Sequence, residues 1–281
     1  MSREVSFQAR VKKHMGKYKE SNLGIKEDGI YYGNKKEYNH ILPAEKSLLN
    51  IIEDYREDFY NSCYSKNLQY HPCFNHLNSS QAMCINFFYP LIRENKIQLI
   101  LDILGIDDGQ NNTIEEVCFE KESQLEEGMS RKTNFDFYIN LKSGIEIFFE
   151  IKYTESSFGK AVRDDRHKEN YNKVYKRILD KNNAIKQEHS NEEFFLNNYQ
   201  IMRNIIHISD SAYVVFVCPK ENRKIYHEAL EVGNAVIREE YLNHFILYAW
   251  EEMIEELLKR LNSNKLIDYY SNEFSYKYLE Y

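Results

Sequence analysis

Two rhythms of apolar residues divide the chain near residue 113. Before it, apolar positions recur at helical spacing. In PAEKSLLNIIEDYREDFY (43–60), Leu48, Leu49, Ile52, Tyr55 and Phe59 supply much of one face and Pro43 suits the first turn, which predicts a helix over 43–60. A second helix is expected from NSSQAMCINFFYPLIREN, capped by Asn78, Ser79 or Ser80. Pro90 predicts a kink or break in it near Tyr89. Residues 97–104 continue helically to Gly105, and DDGQNN is a turn. The first 38 residues read as a helix followed by an irregular stretch, and 61–78 as a connection rich in aromatics and His.

After it, short apolar runs of strand length take over. Strands are expected at 114–121, 133–141 (TNFDFYINL), 145–153 (IEIFFEIKY), 214–220 and 245–250, with 122–132 a polar loop. Helices are expected within 160–187, again near 192–206, and at 223–239 and 251–261; the Tyr-rich tail has no clear place. This order predicts an α/β fold with a mixed sheet flanked by helices. Residues 1–75 read as a mainly helical N-terminal elaboration, and 76–281 as the core with a C-terminal helix.

Composition changes this picture in three places. The five Cys are scattered without paired spacing and read as reduced thiols; His71, Cys73 and His76 crowd together, but no second pair stands at zinc-finger spacing. The start lacks the apolar run of a signal peptide and the longest apolar strand, at 212–218, is too short to span a bilayer, so a cytoplasmic location without membrane contact is expected. The formal charge is −7, which offers no global attraction to nucleic acid. Yet between Lys152 and Lys186 ten basic residues face five acidic ones, so the sign reverses just after the strand at 145–153.

That strand carries the candidate chemistry. Glu150 and Lys152 lie two apart inside FEIKY, so both point to one face, and charge in so apolar a strand needs a partner or a metal. If Lys142-Ser143-Gly144 is a three-residue loop with Gly144 left-handed, Leu141 pairs with Ile145 and Asp136 falls opposite Glu150. A two-residue Ser143-Gly144 turn sets Asp136 opposite Ile151 instead and turns it away. Two carboxylates suit Mg²⁺, with Mn²⁺ as a substitute, and an adjacent Lys can orient water and stabilise charge on a phosphate. Glu120, in the first strand, is a candidate further carboxylate; Gln81, at the start of the second helix, is a candidate contact to the metal shell or to DNA, or else a helix-end hydrogen-bonding group. Glu155 faces away from Lys152 if the strand runs straight, and Lys160, Arg163 and Arg166 are candidate phosphate contacts on the basic segment. P-loop, dinucleotide and HExxH patterns are absent.

The hairpin resembles the catalytic hairpin of the PD-(D/E)XK nuclease superfamily, whose fold is restriction-endonuclease-like. By that resemblance Asp136 matches the first acidic residue, and Glu150 and Lys152 the final acid and lysine; Phe135 stands where a Pro is common. HILPAEKSLLNII, HLNSSQAMCINFFYPL, FEKE and EIKYTESSFGKA together resemble a family of bacterial restriction-type endonucleases over roughly residues 40–165. The resemblance implies a metal-dependent endonuclease acting on DNA, with Asp136, Glu150 and Glu120 on the metal. Cutting both strands favours two active sites and hence a homodimer. A repair-type exonuclease and a noncatalytic DNA-binding protein are the alternatives.

Overall fold

In the computed structural model, which describes residues 5–109, 111–162 and 164–281, the chain forms two compact units. One combines the residues up to Ile106 with Trp250–Tyr281; the other is Asp107–Ala249. The helical segment from Ser80 to Leu104, read from the sequence with the core, thus lies in the first unit together with the C-terminal helices.

The first unit is mainly helical, with a two-stranded ribbon of β1 (Gly29–Ile30) and β2 (Glu37–Tyr38). Its centre is the helix Ser80–Arg93, buried at every position from Gln81 to Leu91 and capped by the Ser79 hydroxyl, which accepts the Ala82 N–H. Of the kink or break expected near Tyr89, the break does not occur: the helix is continuous through Pro90. Proline's missing N–H leaves the Asn86 carbonyl without its helical donor, and the Tyr269 hydroxyl supplies one at 2.7 Å. The Tyr-rich tail therefore completes this core, with Tyr269, Tyr270, Phe274 and Tyr278 fully buried.

The helix expected over 43–60 is split. A 3₁₀ turn at Ala44–Asn50 gives way to extended backbone at Ile51 and Ile52 before the helix Glu53–Asn61. Asn86 accounts for the interruption: its side chain accepts the Ile52 N–H at 2.9 Å and donates to the Asn50 carbonyl at 3.0 Å, replacing helical bonds with bonds to another helix.

The second unit is built on one sheet in the order β3 (Ile114–Glu122), β4 (Asn134–Leu141), β5 (Glu146–Ile151), β6 (Ala212–Cys218) and β7 (Phe245–Ala249). The first three strands are antiparallel neighbours; β6 runs parallel to β5, and β7 parallel to β6. Parallel neighbours need crossovers, and helical ones supply them. The β5–β6 crossover carries Asp165–Asn170, a π turn Tyr171–Tyr175, Lys176–Leu179, Glu192–Asn197 and Tyr199–Ile205; the β6–β7 crossover carries Arg223–Val236. The helix expected within 160–187 is shorter because the Asp164 carboxylate caps it at His167 N–H, and beyond Leu179 the Asn182 side chain bonds the Ile206 and Ile208 carbonyls and turns the chain away. Among the described residues no helix is long and apolar enough to cross a membrane.

Candidate active site

The β4–β5 hairpin closes through the three-residue loop. Leu141 N–H donates to the Ile145 carbonyl and Gly144 N–H to the Leu141 carbonyl, both at 2.9 Å, and Gly144 has φ +86°. The pairs Phe137–Phe149 and Asn140–Glu146 carry this register down the hairpin, so Asp136 stands across from Glu150.

The ladder ends there. Beyond Phe137–Phe149 the next inward N–H of β5, on Ile151, donates to the Asp136 carboxylate at 2.6 Å. β4 parts from β5 at the acidic residue, whose side chain takes over a bond that a backbone carbonyl makes elsewhere in the hairpin. On β5, Lys152 Nζ lies 2.6 Å from Glu150 Oε1, and both side chains are 12% exposed. The Lys152 N–H donates to the Val217 carbonyl at 2.9 Å, which holds the lysine in line one residue past the strand.

Glu120 extends the row onto β3. The pairs Phe119–Phe137 and Lys121–Phe135 place it opposite Asp136. Its φ is +57°, a left-handed conformation in the middle of a strand, where a side chain other than glycine is strained. Its carboxylate accepts from Asn134 Nδ2. Three neighbouring strands thus present Glu120, Asp136 and Glu150 in register.

Crowded carboxylates shape the electrostatics. Burial, then Glu150 and Glu120, push the Asp136 carboxyl well above the usual carboxylate range, against the pull of Lys152 and the Ile151 N–H. Burial opposes charge on Lys152, but Glu150, Glu155 and Asp136 overcome it and hold the ammonium above its ordinary value. Glu155 bears on Lys152 because the strand does not run straight: it ends at Ile151, and the chain folds so that Tyr153 N–H donates to the Glu155 carboxylate at 2.6 Å. Among the described residues no three His, Cys, Asp or Glu side chains form a ready-made metal cage. The donor chemistry still suits a hard divalent cation, since Asp136 has the carboxylates of Glu150 and Glu120 close enough to perturb it and all three offer oxygen ligands.

A cleft of about 530 Å³ opens beside Glu150. Its basic lining comes from Arg131, Lys132, Arg166 and Arg203, with His167 among them. Of the basic residues singled out in the sequence, Arg166 lines it; Lys160 is not among its lining residues and Arg163 lies outside the described residues. A separate hollow of about 510 Å³, lined by Glu146, Phe148 and Ala212 at the beginnings of β5 and β6, contains none of the candidate carboxylates.

Gln81 belongs to the first unit, where its Oε1 accepts the His71 N–H at 2.9 Å and its Nε2 donates to the Gln69 carbonyl at 3.1 Å. In the same loop, His71 Nδ1 accepts the Cys73 N–H at 3.1 Å.

One anchor of the cleft had no sequence signal. Glu126, fully buried, accepts Arg203 Nε and Nη2 at 2.9 and 3.0 Å, the Thr133 hydroxyl at 2.8 Å and the Tyr175 hydroxyl at 2.9 Å. Burial opposes its charge, but Arg203 and Thr133 prevail and hold its pKa below the ordinary range. This cluster ties the 123–133 loop, read from the sequence only as polar, to the helix Tyr199–Ile205.

The family model described as restriction endonuclease associating with ARP matches residues 12–279. No curated protein and no solved structure matches the chain.

Proposed function

The chain belongs to the family of restriction endonucleases associating with ARP, a nuclease class with DNA as its substrate, and from that premise we propose that it is a metal-dependent endonuclease hydrolysing phosphodiester bonds of double-stranded DNA. The observation that carries this reading is the hairpin register, which sets Asp136 opposite Glu150 with Lys152 bonded to Glu150.

Asp136 and Glu150 would hold Mg²⁺, with Mn²⁺ as a substitute, and Glu120 would assist from β3. When bound, the cation supplies Lewis acidity at the phosphate and favours hydroxide over water. The protein's own part is distinct. Lys152, held over the site by Glu150 and by its backbone bond to Val217, presents a fixed positive charge to the phosphate or to the attacking water. Arg131, Lys132 and Arg166 line the approach and favour a polyanion.

The deciding experiment is incubation of purified protein with circular plasmid and Mg²⁺, alongside Lys152→Ala. We expect nicked or linear product from the native protein and a loss of about 10²–10³ in single-turnover rate from the variant, measured at a temperature where circular dichroism shows the variant folded. Calorimetry should show that the Asp136→Asn, Glu150→Gln double variant loses the main Mg²⁺ site. Cutting of linear DNA only, from its ends, would favour an exonuclease; salt-sensitive binding without cutting would leave a DNA-binding protein.

A further inference from the structure

The cleft beside Glu150 holds a histidine that the carboxylate–lysine reading does not use. His167 sits in the first turn of the helix Asp165–Asn170, and its side chain is 23% exposed. Its Nδ1 lies 2.6 Å from Asp164 Oδ1, and its ring stands edge-on to Tyr199 with centroids 5.3 Å apart. A carboxylate can only accept, so Nδ1 is the donor in this pair. That fixes the tautomer and leaves Nε2 as the ring's available atom. The charged and titratable groups sharing the cleft with His167 are Glu150, Arg131, Lys132, Arg166, Arg203 and Tyr199. Arginine, lysine and tyrosine hold their protons too tightly to cycle at neutral pH, whereas histidine as a residue type gives and regains one there.

Resting on the nuclease reading above, we propose that His167 is the general acid of the reaction, oriented by Asp164. The attacking water's oxygen bonds to phosphorus. The bond from phosphorus to the leaving sugar oxygen breaks, and its electron pair stays on that oxygen. The imidazolium of His167 passes its Nε2 proton to it, and the product is an alcohol. Water's own proton goes to solvent, and solvent reprotonates Nε2 while Asp164 keeps Nδ1–H in place. Asp164 is a positioning residue: it also caps the helix at His167 N–H, so one carboxylate sets both the helix start and the ring.

The test separates leaving-group protonation from every other cause of lost activity. A bond that the native protein cuts in plasmid is mapped and rebuilt in a synthetic duplex with sulfur in place of the leaving oxygen. A thiolate leaves without a proton, so the general acid becomes dispensable. His167→Asn should cut the ordinary duplex about 10²–10³-fold more slowly than native protein, within the usual range for a general acid, and the sulfur duplex within about threefold of it. Asp164→Asn, which keeps a capping side chain, should show the same pattern more weakly. Lys152→Ala should be slow on both duplexes, because its charge serves the phosphate. Equal losses of His167→Asn on both duplexes, or no loss on the ordinary one, would overturn the assignment while leaving the nuclease reading intact. Native protein that cuts no DNA would overturn the nuclease reading itself, and His167's role with it.

Discussion

Glu120 is the residue whose backbone and side chain make opposite demands. A left-handed φ costs a residue with a Cβ about 1–2 kcal/mol, and here it is held in the middle of β3 with two further acids in line on the next two strands. Strain of this kind persists where the surroundings impose it and often marks a working site. Glu120→Gly removes both the strain and one like charge, at the expense of a more flexible unfolded chain. The expected outcome is a melting temperature at or slightly above native, equivalent to a gain of up to about 1 kcal/mol, combined with slower plasmid cleavage. A clear fall in melting temperature would show that Glu120 contributes to stability despite its backbone, and cleavage at the native rate would remove it from the site.

At the scale of elements, what could be read from the sequence followed from periodicity and turn chemistry. The strands of the β4–β5 hairpin alternate, and its loop ends in a glycine that the left-handed turn requires, so the register, and with it the meeting of Asp136, Glu150 and Lys152, was legible. The helical splits were not. The chain is extended at Ile51 and Ile52 where Asn86, on a different helix, takes the Ile52 N–H and the Asn50 carbonyl, and the helix through Pro90 survives because Tyr269, far along the chain, donates to the carbonyl left free. Such rescue leaves no local pattern. The same holds for Glu126 and Arg203, which meet across most of the second unit. Glu126→Gln leaves Arg203 without its counter-charge and should cost about 3–5 kcal/mol in a denaturant titration, loosening the loop that carries Arg131 and Lys132.

Nearby, His207 bonds Ser123 at 2.7 Å and is buried; burial lowers its pKa to about 4. As pH falls below the ordinary 6.5, the unfolded chain takes this proton and the folded one does not, so stability should decline between about 6.5 and 4, by on the order of 3 kcal/mol from this group. Glu126, with its pKa depressed, adds its loss only further down, as pH falls through its folded value. His207→Gln should flatten the melting-temperature profile over the first window, and an unchanged profile would remove His207 as the cause.

For the whole molecule the question is how a chain of net charge −7 engages a polyanion. Long-range attraction is absent, so affinity has to come from charges gathered at one place. The cleft gathers them from three separate segments: Arg131 and Lys132 from the loop after β3, Arg166 from the helix after β5, and Arg203 from the helix Tyr199–Ile205. Arg203 is committed to Glu126, which leaves Arg131, Lys132 and Arg166 as the three to test. Each phosphate neutralised releases counterions and adds close to one unit to the slope of log affinity against log salt. Replacing all three by Gln should therefore weaken duplex binding and lower that slope by about two to three units. A control replaces Lys173 and Lys176, which are exposed and already paired with Glu169 and Asp180 on the helical segment that follows Arg166. It removes two positive charges against three but should leave the slope within about half a unit of native. The comparison separates a cleft that binds phosphate from diffuse attraction to any basic surface. Equal slopes for the two variants would place the DNA elsewhere on the molecule. If binding is confirmed at the cleft, sedimentation of the complex should show two copies on one duplex, because each chain carries one hairpin site and cutting both strands favours two.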